Sequence, residues 1–129
     1  MRLTIDTNAY VAFCRGQETV VRQMEEAEQL LVPTVVVGEL VAGFVQGSRQ
    51  QENFELLEAF LEQPGVVLQP IGQREAYRFG LLIKALRQDG TPIPANDVWI
   101  AAAALCADAV LLTRDAHFAQ VSGLLTVSF

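Results

Sequence analysis

Residues 2–10 read RLTIDTNAY: a short apolar run, Leu3-Thr4-Ile5, stops abruptly on Asp6, and Asn8 follows two positions later. Such a run predicts a short buried strand, and its last neighbour is then a carboxylate with no basic residue beside it. Burying an uncompensated charge costs several kcal/mol, roughly, so Asp6 needs hydrogen-bond donors, a cationic partner or a metal ion. The same pattern returns near the other end of the chain. In AVLLTRDAHF (109–118) an apolar run ends at Thr113, and Asp115 stands two residues beyond it.

Between these two stretches, strand and helix patterns alternate. Asn8–Cys14 is predicted as a short helix and Glu18–Gln29 as an amphipathic one, with Val20, Val21, Met24, Ala27 and Leu30 on its apolar side. Pro33 divides LLVPTVVVGELVAGFVQG into a strand over 30–32 and a helix over 34–46, with Thr34 as the expected N-cap. Phe54, Leu57, Phe60 and Leu61 form the stripe of the next helix, stopped by Pro64-Gly65. VVLQP (66–70) reads as a strand and REAYRFGLLIKALRQDG (74–90) as a long helix. ANDVWIAAAALCA (95–107) is a helix whose alanines permit close packing, and AVLLT (109–113) is a strand. AHFAQV (116–121) is a turn or short helix, and LLTVSF (124–129) is a final strand. Alternation of this kind implies an α/β fold with a mostly parallel sheet covered on both faces. Such sheets bind ligands at the carboxyl ends of their strands.

The chain has 129 residues, a length that fits one domain, 1–129, and 51% of them are hydrophobic. No apolar run of about 18 residues suggests a membrane span, and the N-terminus lacks the pattern of a secretory signal. Cys14 and Cys106 form no metal-thiolate motif and are expected to be small buried hydrophobes in a reducing cytoplasm. A net charge of −6 argues at first against nucleic acid as a partner. Acids gathered around a cation reverse that inference, because the ion inverts the local field. The cationic side chains are eight Arg and one Lys, a bias that suits forked contacts with phosphate and that genomic base composition also produces.

Four acids fall at informative places on this scaffold. Asp6 and Asp115 follow strands and therefore share the carboxyl edge of the sheet. Glu39 sits in the apolar stretch VVVGELVAGF, with no Lys or Arg within one helical turn. Asp97 opens the helix DVWIAAAAL, which starts near the same edge if the following strand is parallel. Taken singly, Asp6 and Asp97 also suit helix capping, and Asp115 suits a turn. Taken together, converging carboxylates without thiol or imidazole partners suit a hard cation, Mg2+ or Mn2+. Phosphate esters are the natural substrates of such a site.

IDTNAY (5–10), PTVVVGELVAG (33–43), GTPIPANDVWIAAAAL (90–105) and LLTRDAHF (111–118) together resemble the PIN-domain nucleases, and within them the VapC-type toxins of bacterial toxin–antitoxin pairs. The resemblance implies an α/β/α sandwich around a parallel sheet of about five strands. It also implies a Mg2+-dependent endoribonuclease with Asp6, Glu39, Asp97 and Asp115 as its acidic site. Asp6 and Asp97 would be the most direct metal ligands. Glu39 and Asp115 would complete the site through waters or a second cation, or orient the attacking water. Asn8 and Thr113 match polar positions expected to support the acids by hydrogen bonding. A homodimer, a cognate antitoxin that places a basic side chain in the pocket, and structured RNA such as transfer RNA are the partners the resemblance implies.

Other residues invite functional roles but have simpler readings. His117, the single histidine, reads as a solvated residue in a short turn rather than a general base. Arg15 and Arg114 suit surface salt bridges as well as RNA phosphates. Trp99 and Phe118 are expected to pack in the core or at a dimer interface rather than stack on bases, and Lys84 to snorkel from a helix. A haloacid-dehalogenase-like phosphatase would need a second Asp where Asn8 stands, and a phosphate-receiver domain an Asp where the third strand leads into Pro70. A catalytically silent PIN fold, serving as a binding or dimerisation module, is the alternative from another class.

Overall fold

The computed structural model describes residues 1–129. Five strands, β1 (Arg2–Ile5), β2 (Gln29–Pro33), β3 (Val66–Gln69), β4 (Val110–Leu112) and β5 (Thr126–Val127), form one sheet in the order β3-β2-β1-β4-β5. Every pairing is parallel. Six helices flank it: α1 (Thr7–Cys14), α2 (Glu18–Glu26), α3 (Thr34–Gln46), α4 (Gln50–Leu61), α5 (Gln73–Gln88) and α6 (Ala95–Cys106). A parallel sheet covered by helices is what the alternating pattern predicts, and the five-stranded α/β sandwich is what the resemblance implies. No helix is long and apolar enough to cross a membrane.

The apolar run that opens the chain becomes the central strand because it is buried from both faces. Leu3 pairs with Leu30 on one side and with Val110 on the other, and Leu3, Thr4 and Ile5 are fully buried. Strands built on one side of β1 give way to strands on its other side between β3 and β4. The carboxyl ends of β1 and β4 therefore flank the switch point, where open parallel sheets leave a crevice. Helix α6 lies close to the sheet because Ala101, Ala102, Ala103 and Ala104, all fully buried, keep its contact face thin. Val98, Ile100, Leu111, Leu112 and Phe118 join the same core.

Several boundaries differ from the sequence expectation for physical reasons. Helix α2 stops at Glu26, since residues from Gln29 onward are claimed by pairing with β1. Thr34 is the first residue of α3 and not its cap; Pro33 holds that place, and the Thr34 hydroxyl accepts a bond from the Ile71 amide at 3.2 Å. The final strand is reduced to Thr126–Val127, the only residues that reach β4 in register. Cys14, at the end of the short helix α1, is exposed, and Cys106 is half-buried.

Candidate functional site

Asp6 begins the site. It stands between β1 and α1, and its Oδ1 accepts a 2.8 Å bond from the Ala9 amide, capping the helix. Its Oδ2 accepts a 2.5 Å bond from the hydroxyl of Thr113, just past β4. That hydroxyl also accepts the Asp115 amide at 3.0 Å, so Thr113 ties the ends of the two switch-point strands together. With only 4% of its surface exposed, Asp6 has its pKa raised, chiefly by burial. The Thr113 and Ala9 bonds oppose the shift, and the nearby charges of Asp115 and Asp97 add to it. Capping and site membership are thus both true of this residue.

Asp97 lies in the first turn of α6, where the helix dipole favours an anion. Its pKa is also raised, first by burial, with the charges of Asp115 and Glu39 adding and His117 opposing. Asp115 caps a short 3₁₀ turn, Ala116–Gln120, by accepting the His117 amide at 2.9 Å. Glu39, from α3, is half-buried rather than sealed in the core as its apolar context suggested. Thr7 donates to its Oε1 at 2.6 Å and Asn96 to its Oε2 at 3.3 Å. A cavity of about 240 Å3 is lined by Asp6, Thr7, Asn8, Glu39, Asp97, Ile100 and Asp115. The four acids picked from the sequence do converge.

The supporting residues are partly different from those expected. Thr113 holds Asp6 as anticipated. Asn8 lines the cavity but forms no side-chain bond to an acid; its neighbour Thr7 takes that part, because the first residue of α1 faces α3. Asn96 was overlooked, although its place beside Asp97 at a helix start is a readable signal. His117 is corrected most. Its ring is exposed, yet Nδ1 lies 3.1 Å from both Asp97 Oδ2 and Asp115 Oδ1. The Asp115 cap at the head of the 3₁₀ turn is what swings it there. Phe118 is core, and Trp99 is half-buried and stacked on Phe79 with ring centres 3.9 Å apart. Arg114 lies over the ring of Phe129, Arg15 ends α1 at the surface, and Lys84 is exposed.

The arrangement is an acidic pocket with no Lys or Arg paired to any of its carboxylates. Oxygen donors dominate, and ligand atoms of Asp97, Asp115 and His117 lie within 4.8 Å of one another. Such a donor set fits a divalent cation.

The PIN domain family model matches residues 3–124, nearly the whole chain. This chain belongs to the PIN-domain family. All four acids of the pocket fall inside the matched span. Among relatives of this PIN domain, Ribonuclease VapC1 of Rickettsia felis is 30% identical over 133 residues, covering 99% of this chain and 98% of the relative. Ribonuclease VapC1 of Haemophilus influenzae (strain R2866) is 26% identical over 125 residues, 93% of this chain and 92% of the relative. The fold matches that in the crystal structure of VapBC2 from Rickettsia felis bound to a promoter DNA fragment. There the TM-score is 0.88 at 22% identity, over 99% of this chain and 98% of the other.

Proposed function

We propose that this PIN domain is an endoribonuclease that hydrolyses RNA phosphodiester bonds with a divalent cation, Mg2+ or Mn2+, and acts as the toxin of a type II toxin–antitoxin pair. One observation carries the reading: four carboxylates from distant parts of the chain meet at the β1–β4 switch point with no basic side chain but His117 among them. The ribonuclease names of its relatives support the substrate class. Asp6, Glu39, Asp97 and Asp115 are the residues assigned to hold the cation and the attacking water. The ion, when bound, lowers the pKa of water and stabilises charge on the phosphate and leaving oxygen.

The chain's own residues divide this work. Thr113 and the Ala9 amide fix the Asp6 carboxylate, and Thr7 with Asn96 fixes Glu39, so neither acid must reorganise when substrate arrives. Asp97 and Asp115 retain one oxygen each, Oδ1 and Oδ2 respectively, without a protein donor. Cleavage is read as leaving phosphate on the 5′ end of the downstream fragment. The protein would act in the cytoplasm as a homodimer on structured RNA, transfer RNA included, and be silenced by an antitoxin offering a basic side chain to the acidic pocket.

Expression without antitoxin, followed by mapping of RNA 5′ ends, tests the proposal. Wild-type protein should arrest growth and create new ends, and Asp6→Asn and Asp97→Asn should do neither. Identical ends and identical growth for all three proteins would overturn the nuclease reading and favour a silent binding module.

A further inference from the structure

Asp6 and Glu39 are each gripped by two donors from other residues, whereas the side chains of Asp97 and Asp115 meet only His117, Asp97 through the imidazole and Asp115 through both the imidazole and the backbone amide. The two carboxylates, crowded with the imidazole nitrogen within 4.8 Å, repel one another unless a positive charge or a shared N–H lies among them. Nδ1 can face them as a donor or, with a cation between, as a ligand. No guanidinium or ammonium is there to supply the charge. The 3.1 Å from Nδ1 to each carboxylate oxygen equals a hydrogen bond. It also equals the spacing of neighbouring ligands at right angles, about 3.0 Å when each stands about 2.1 Å from an ion.

We propose that His117 is a direct ligand of the catalytic cation through Nδ1, so that the site is a mixed nitrogen–oxygen one built on Asp97, Asp115 and His117. The inference rests on the proposed metal-dependent chemistry and adds to it a donor that four carboxylates alone do not provide. Its consequence is ion preference. Imidazole suits transition metals, whereas Mg2+ favours oxygen donors and retained water. A nitrogen ligand therefore biases the pocket towards Mn2+ over Mg2+. His117 can take this part because its exposed ring already sets Nδ1 beside both carboxylates, while Asp115 also accepts the His117 amide.

The test uses the full chain with Mn2+ alone and Mg2+ alone. Electron spin-echo spectroscopy of bound Mn2+ should reveal a coordinated nitrogen in wild type that disappears in His117→Gln. Calorimetry should show Mn2+ affinity falling about tenfold or more in that variant, with Mg2+ affinity changing less than about threefold. Mn2+ bound by wild type without nitrogen coupling, or an unchanged Mn2+ to Mg2+ preference in His117→Gln, overturns the ligand assignment. In either case Asp97→Asn still decides the underlying reading: if it abolishes Mn2+ binding and RNA cleavage, the acidic nuclease site stands and only the nitrogen ligand is lost. Wild type that binds neither ion overturns both.

Discussion

Helix α6 ends in two cavities of opposite character. Its N-terminus opens on the acidic pocket of about 240 Å3. Its C-terminus borders a larger one, about 430 Å3, lined in part by Arg2, Arg74, Glu75, Cys106 and Ala107. At that far end the arginines complete the helix: Arg74 donates to the Cys106 carbonyl and Arg2 to that of Ala107. These are the orphan carbonyls any helix leaves, met by cations that the negative end of the dipole favours. Every charge there has a structural explanation. At the near end a helix start would suit one anion, yet four carboxylates gather, two with raised pKa values. Unresolved charge, rather than cavity size, separates the proposed site from the structural cavity.

The largest effect should come from removing charge at the near end. Asp97→Asn should lower RNA cleavage by about 10²–10³-fold, measured on a defined RNA with Mg2+ present. The same change should stabilise the metal-free protein. Because the folded-state pKa of Asp97 lies above its ordinary 3.8, the folded chain holds that proton more tightly than the unfolded one. Stability is then lost as pH rises from about 4 through the folded value. The variant escapes that loss, so above the folded pKa its metal-free Tm should exceed that of wild type, with a flatter pH profile. A lower Tm would mean that the carboxylate, like the far-end arginines, serves the fold.

Next in size is the tether between the two strands. Thr113→Val keeps the shape of a buried side chain but removes the donor to Asp6 and the acceptor for the Asp115 amide. Stability should fall by about 1–3 kcal/mol, read by urea denaturation, and cation affinity by about 10–100-fold. Thr7→Val, at a half-buried position, frees only Glu39 Oε1. It should cost about tenfold in cleavage with little change in Tm. If Thr7→Val proved as damaging as Thr113→Val, the Glu39 side of the pocket would matter more than its exposure suggests.

How much of this contrast could be read from the sequence depends on what each residue needs to declare itself. Asp6 and Asp115 were legible because each follows an apolar strand and so falls at one edge, Glu39 because it interrupts an apolar run and Asp97 because it opens one. The strand order, and so the neighbourhood of β1 and β4, was not legible: periodicity marks strands but not which of them pair. His117 was not legible: a lone histidine in a turn is usually solvated, and only the Asp115 cap decides where its ring goes. Asn8 was expected because it matches a polar position of the family, yet helix phase aims the Thr7 hydroxyl at Glu39 on α3. Thr34 had the chemistry of a cap, but Pro33 already stood in the extended conformation at that place. Arg2 and Arg74 gave no sequence signal, since a guanidinium finds a helix end through tertiary geometry alone.

The smallest effect belongs to the far end and is the control for all the others. Arg74→Ala removes one exposed donor from the Cys106 carbonyl, which can turn to water instead. A screened charge at a helix terminus contributes about 0.3–1 kcal/mol, so the denaturation midpoint should move only slightly. Cleavage rate and Mn2+ affinity should equal those of wild type, because the helix that carries Asp97 is held mainly by its buried alanines and by α5. A large loss of activity with intact stability would contradict this, since it would mean that the charge at one end of α6 is felt at the other.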